Sequence, residues 1–221
     1  MTFVGLLRHG EVAGGSVYRG RTDDPLNAAG WAQMRATTDG LCCWEYVVSS
    51  PLQRCAAFAE EFAQAQGVPL LLEERLAEID FGDWEGLSAA QIMQESATAL
   101  ADFWRDPLNH PPPGGESLRQ FQRRVVAAWE ALCRRYAGKR LLFVTHGGVI
   151  RMLLCHLQSR PLDRIMEIEV EHAALFGLLL GDGALKTLFT SRSAMRAWLD
   201  RNGEAPGRAV NGGASRRTTT L

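Results

Sequence analysis

Two histidines of the 221-residue chain stand where an apolar run gives way to glycine. Thr2 to Leu7 leads into Arg8-His9-Gly10-Glu11, and Lys139 to Thr145 leads into His146-Gly147-Gly148. A buried strand that stops in such residues delivers side chains to the carboxyl edge of a sheet, with glycine free to turn sharply or approach a ligand. If the two strands are parallel, both histidines reach the same edge, where open α/β sheets bind ligands. Arg54, at the start of a helix, and an acid from the stretch Glu73 to Gly86 can join them. Two arginines and two histidines suit a small dianion with tetrahedral or planar oxygens, and phosphate is the natural candidate. The helix after His146 would offer backbone N–H groups to the same anion.

A neutral imidazole is a competent nucleophile towards phosphorus. The chain has no Walker-type loop and no carboxylate cluster shaped for magnesium, so Arg and His would supply the positive charge. A glutamate of raised pKa would then protonate the leaving oxygen. No two histidines share an i, i+4 ligand spacing, so no metal site is expected. His110, His156 and His172 read as packed core residues.

The elements that must position these groups follow from punctuation and period. Tyr46 to Ser50, Pro69 to Leu72 and Lys139 to Thr145 read as strands, and Ala173 to Leu180 with Leu185 to Phe189 as a closing pair. Helices are predicted over Ala28 to Leu41, from Pro51 to Gly67, after the capping boxes at Ser88 and Ser117, over Val149 to Leu157 and over Arg192 to Arg201. The helix after Ser88 is expected to break before Trp104. Val12 to Leu26 is a glycine-rich loop over His9, and Glu73 to Gly86 reads as a loop without a period. Strands alternating with helices predict an α/β fold, a three-layer α/β/α sandwich on a mostly parallel sheet. One domain is expected over 1–201. The Gly-, Ser-, Thr- and Arg-rich stretch 202–221 reads as a disordered basic tail.

Composition narrows the class. Hydrophobic content of 46%, charged content of 22% and a net charge of -1 describe a soluble domain and give no argument for nucleic acid or a membrane as partner. The longest apolar stretch, Ala173 to Leu180, is too short to span a bilayer. Five cysteines at irregular spacing (Cys42, Cys43, Cys55, Cys133 and Cys155) argue for reduced thiols, and with no signal peptide this predicts a cytoplasmic location. No pattern specifies an oligomeric state.

Leu7-Arg8-His9-Gly10-Glu11 resembles the signature of the histidine phosphatase, or phosphoglycerate-mutase-like, superfamily. Five further stretches resemble its other motifs in order: Arg19 to Gly30, Ser49 to Arg54, Leu76 to Gly86, Gly114 to Ser117 and Val144 to Gly148. The resemblance implies a phosphoglycerate-mutase-like sandwich with His9 as the nucleophile that becomes phosphohistidine. It implies that Arg8, Arg54 and His146 bind the phosphoryl oxygens, that Glu78 is the general acid, and that Gly147 donates a backbone N–H. Arg19 and Gly20 fall where the family contacts the rest of the substrate. No metal or other cofactor is implied.

Two departures bear on function. The family's Asn after the signature has no counterpart in Val12 to Ser16, where Ser16 or the Gly14-Gly15 backbone stands instead. The basic middle segment of the mutases is here Gln91 to His110, with Arg105 as its one Lys or Arg, which points to a phosphatase. The glycine-rich loop and Asp80 to Trp84 look most like bacterial α-ribazole phosphatases. The expected function is metal-independent hydrolysis of a small phosphate ester, α-ribazole 5′-phosphate being one substrate. The alternatives are a phosphoglycerate mutase, a phosphatase for phosphoproteins or sugar phosphates, and a non-catalytic binding module.

Overall fold

A computed structural model describes residues 1–41, 44–181 and 184–202. Six strands form one sheet: β1 (Thr2–Arg8), β2 (Tyr46–Ser49), β3 (Leu70–Leu72), β4 (Arg140–Thr145), β5 (Leu175–Gly181) and β6 (Ala184–Phe189), in the order β3-β2-β4-β1-β5-β6. The first four are mutually parallel and β5 runs antiparallel to β1 and to β6, so the sheet is mostly parallel, as expected.

The central strands are apolar on both faces because helices cover both. Val4, Leu6, Leu141 and Phe143 point into a core with α4 (Leu118–Arg135) and α5 (Gly147–Leu157). Their neighbours Phe3, Leu7, Leu142 and Val144 point the other way, into a core with α1 (Ala28–Thr38), α2 (Gln53–Gln66) and α6 (Arg192–Asn202). This is the three-layer sandwich. A satellite cluster of Trp84, Ile92, Leu100 and Phe103 seats α3 (Ala89–Arg105) over one end of it.

The register sets the site. Arg8 lies opposite Thr145 and Ser49 opposite Val144, so β1, β2 and β4 end together and His9, Ser50 and His146 leave the same edge. The backbone continues the pairing one step further: His9 N–H donates to Thr145 O and Ser50 N–H to Val144 O. Gly10 makes a close approach to protein rather than to a ligand. A Cβ there would stand 2.3 Å from the Gly30 carbonyl oxygen, and a Cβ on Gly30 would stand 1.9 Å from that of Glu11. Two glycines let the start of α1 press against the chain just past His9.

Several elements differ from the sequence reading. α5 begins at Gly147, not Val149, with His146 as its N-cap. α2 begins at Gln53 rather than Pro51, because Ser50 Oγ turns to His146 and Asp23 Oδ1 accepts from Gln53 N–H at 2.6 Å. α1 ends at Thr38, short of Leu41. β5 starts at Leu175, because Ala173 takes a φ of 54° while its N–H donates to His9 O. The stretch Glu73 to Gly86 is more ordered than a loop, with 3-10 turns at Glu74–Leu76 and Gly82–Trp84 and buried Leu76, Ala77, Ile79 and Trp84. Both capping boxes form, and α3 breaks at Ser96. Cys42, Cys43 and the expected tail from Gly203 onward lie outside the described residues. Among the described residues, no helix is long and apolar enough to cross a membrane.

Substituting Gly10→Ala forces a methyl group onto the Gly30 backbone. The expected cost is about 1–3 kcal/mol in urea denaturation, with a matching loss for Gly30→Ala. Wild-type midpoints in both variants would refute the close-approach argument.

Candidate active site

A cavity of about 450 Å3 opens at the carboxyl edge of the sheet. It is lined by Arg8, His9, Arg54, Glu78 and Gly147, by Val12 with Gly15 to Arg19, and by Phe81, Arg151 and His172. Arg8, His9, Arg54, Glu78, Gly147 and Arg19, six of the residues picked out in the sequence, therefore meet in one place.

His9 is 6% exposed, and its Nδ1 lies 2.7 Å from the Gly10 carbonyl. A carbonyl only accepts, so Nδ1 carries the proton and Nε2 keeps its lone pair. Burial pushes the His9 pKa well below the usual histidine range, with Arg54 and Arg8 adding to the effect and the Gly10 carbonyl opposing it. The ring is thus neutral with one basic nitrogen free, as a nucleophile requires.

Arg8 extends Nη1 to the Val170 carbonyl at 2.6 Å, while its buried Nε has no hydrogen-bond partner among the described residues. That Nε lies 3.3 Å from where a Cβ on Gly147 would stand, so glycine there keeps the donor clear. An anion at this spot would satisfy a buried N–H, the kind of group seldom left unpaired. Gly147 is the first residue of α5, and its N–H has no intrahelical acceptor.

Arg54 is entirely buried and held on three sides. Nη1 donates to Thr22 O at 2.7 Å, Nη2 to Gly20 O at 2.7 Å, and Nε to His146 Nδ1 at 3.3 Å. The carbonyls come from the loop over the site, and that loop is itself fixed by Glu85. The Glu85 carboxylate accepts from the N–H groups of Gly20, Arg21, Thr22 and Phe81 and from the Thr22 hydroxyl. Gly20 therefore reaches the site through Arg54. It does not line the cavity. A Cβ on Gly20 would lie 2.0 Å from Ile79 O, which accounts for the glycine.

His146 stands behind the cavity, not on its surface. It is 0% exposed, its ring centre 5.3 Å from that of His9. Nδ1 accepts from Arg54, so Nε2 carries the proton and donates to Ser50 Oγ at 2.7 Å. Burial, then Arg54 and His9, hold its pKa well below the usual range.

Glu78 is anchored from two sides. Its Oε1 accepts from Ile79 N–H and its Oε2 from Gly148 N–H, both at 2.9 Å, the latter in the first turn of α5. A Cβ on Gly148 would stand 2.2 Å from Oε1. Arg124 fixes the backbone beneath, donating to the carbonyls of Arg75, Ala77 and Glu78 and twice to the Glu116 carboxylate.

Three histidines expected in the core are elsewhere. His110 is exposed, and His156 is half-buried at the end of α5. His172 is exposed on the cavity wall, its ring centre 5.7 Å from that of His9, placed there by the turn at Ala173. Arg151 is a further lining residue, one helical turn after Gly147, with Nε on Ile168 O at 2.7 Å. The sequence pattern assigns His172 to the core and does not single out Arg151. The i, i+4 step from Gly147 was the one signal for Arg151. Among the described residues, no group of three or more His, Cys, Asp or Glu could hold a metal ion.

Gly148→Ala displaces the Glu78 carboxylate and lowers kcat on the order of a hundredfold, with KM little changed. A wild-type kcat would show that the placement of Glu78 is not critical. His9 and His146 have folded pKa values below the unfolded 6.5, so the unfolded chain binds more protons as the pH drops. Their contribution is therefore absent above about pH 7.5 and increasingly destabilising below 6.5. Urea titrations should show a shallower acid loss for His146→Gln than for wild type; equal slopes would contradict a buried neutral pair.

Comparison with known proteins gives the family. A protein of Mycobacterium tuberculosis named as bifunctional is 37% identical over 154 residues, covering 67% of this chain, which spans only 42% of that relative. The adenosylcobalamin/alpha-ribazole phosphatase of Salmonella typhimurium is 29% identical over 198 residues, 86% of this chain and 97% of that protein. The crystal structure of the alpha-ribazole phosphatase from Shigella flexneri superposes with a TM-score of 0.77 at 25% identity, over 86% of this chain and 96% of that one. The model of the histidine phosphatase superfamily (branch 1) matches residues 4–190, and the chain belongs to that superfamily.

Proposed function

We propose that the protein is a phosphomonoesterase that works through a phosphohistidine on His9 and uses no metal. The observation that carries this reading is the contact of His9 Nδ1 with the Gly10 carbonyl, which leaves Nε2 as the basic nitrogen, in the cavity that Arg8 and Glu78 also line. The phosphoryl dianion would rest on Arg8, Arg54 and the Gly147 N–H. Nε2 attacks phosphorus, the P–O bond to the substrate breaks, and protonated Glu78 delivers its proton to the leaving oxygen. Glu78, now ionised, takes a proton from water as that water attacks the phosphohistidine. Phosphate leaves and both residues return to their starting forms. His146 would serve from behind, orienting Arg54 and keeping an uncharged ring against His9. The imidazolium that forms during transfer is stabilised by the dianion it binds.

The substrate reading is α-ribazole 5′-phosphate or a close relative among small phosphate esters. The near full-length likeness to a Salmonella enzyme of that name supports it, as do Tyr18 and Phe81 on the cavity wall, whose rings sit 5.0 Å apart. A phosphatase is favoured over a mutase because Arg105 of α3 is exposed, pairs with Asp102 and stands away from the cavity. Arg19, paired with Asp24 at 2.6 Å, would form the rim that meets the rest of the substrate.

The test is a panel of α-ribazole 5′-phosphate, sugar phosphates, phosphoserine and 3-phosphoglycerate, the last with a bisphosphoglycerate primer. Phosphate release that persists in excess EDTA is expected, highest on α-ribazole 5′-phosphate. His9→Ala should lower it on the order of a thousandfold or more. Formation of 2-phosphoglycerate would favour a mutase, a magnesium requirement would contradict the site, and an unchanged His9→Ala rate would overturn the mechanism.

A further inference from the structure

Beyond the catalytic cavity lies a second, smaller one of about 80 Å3, and its lining is mostly apolar. Phe103 of α3, Pro107, Leu118 and Phe121 of α4, and Ile165 form most of its surface. Glu78, Phe81 and Arg151 line both cavities, so the annex is the direct neighbour of the catalytic cavity. A cavity with apolar walls is poorly occupied by water and well occupied by hydrocarbon. Its capacity matches a short branched alkyl group or the edge of a ring.

The junction has its own chemistry. Arg151 spends Nε on the Ile168 carbonyl, and no contact of its Nη1 and Nη2 with an acceptor is found among the described residues. Nη1 lies 3.3 Å from where a Cβ on Gly147 would stand, the same distance as the unpaired Arg8 Nε. Arg151 lines both cavities, so a cation stands at their common wall. It suits a hydroxyl or other acceptor on the substrate between phosphate and apolar end.

The geometry points to the annex as a leaving-group subsite, occupied by an apolar group of the substrate alcohol, with Arg151 and Phe81 as the shared wall. This inference rests on the phosphatase reading and deepens it. The substrate class is a phosphate monoester whose alcohol carries acceptors near the ester and a compact apolar group beyond them. The occupant is assigned to the substrate because the acid Glu78 and the side chains of Phe81 and Arg151 line both the catalytic cavity and the annex.

The experiment compares ethyl phosphate with 3-methylbutyl phosphate, alcohols of similar leaving ability, on wild type, Ile165→Trp and Ile165→Ala. Binding of the matching alkylphosphonates is measured by calorimetry alongside. Wild type should prefer the 3-methylbutyl compound on the order of tenfold in kcat/KM and in Kd. Ile165→Trp, which fills the annex, should bring that ratio close to unity. Ile165→Ala, which enlarges it, should move the preference towards 2-phenylethyl phosphate. Ratios measured within one variant do not depend on how much of it folds. Hydrolysis of both esters with no preference, or an undiminished preference in Ile165→Trp, overturns the subsite while the phosphatase reading stands. Preferential phosphonate binding without hydrolysis of any ester supports the subsite and overturns the phosphatase reading.

Discussion

The structure depends on keeping the guanidinium of Arg54 charged inside the protein. Moving a cation out of water costs several kcal/mol unless acceptors surround it, and here the acceptors come from other parts of the chain. Burial lowers the Arg54 pKa, while Cys55 and Glu78 act to raise it. The loop over the site gives the carbonyls of Gly20 and Thr22, and Glu85 gathers the N–H groups of that same loop. An acid near the start of α3 thus holds the backbone that holds the cation. His146 closes the third side as a neutral acceptor, so its low pKa and the placement of Arg54 are two aspects of one arrangement.

The same economy governs Glu78. Its two oxygens take N–H donors from its own neighbour and from α5, and Arg124 ties down the carbonyls of Arg75, Ala77 and Glu78 itself. The acid, the nucleophile and the anion donors are therefore set by β1, β4, α2 and α5, which share one sheet and two packed cores. Glycines occur where these parts come closest: Gly10 against Gly30, Gly20 against Ile79, and Gly148 against Glu78. Each marks a contact that a Cβ would prevent, so their reason is tertiary even where a sequence motif contains them.

This explains what could be read from the chain alone. Strand, histidine and glycine adjoin in sequence, and the parallel register carries that local pattern to one edge; β1 and β4 were legible for this reason, and with them His9 and His146. Both capping boxes were legible because a cap is local. Helix starts near the site were misjudged where a distant partner intervenes: Asp23 supplies the cap of α2, and Ser50 is taken by His146. Arg124, Arg151, His172 and Glu85 take their meaning from contacts far along the chain. His172 in particular depends on the left-handed turn at Ala173, which a run of apolar residues does not announce. The position of His146 behind the cavity was equally illegible, since the motif brings it to the edge without saying which way the ring faces.

The central claim is that His9 takes the phosphoryl group, and on one particular nitrogen. Because Nδ1 donates to the Gly10 carbonyl, the bond must form at Nε2. Rapid acid-free quenching of the enzyme with substrate, followed by peptide mapping and phosphorus NMR, reads both the residue and the nitrogen. Phosphate on His9 at Nε2, base-stable and acid-labile, is expected to appear and decay within turnover. Phosphate on Nδ1, on another residue, or turnover with no phosphoenzyme at all would contradict it.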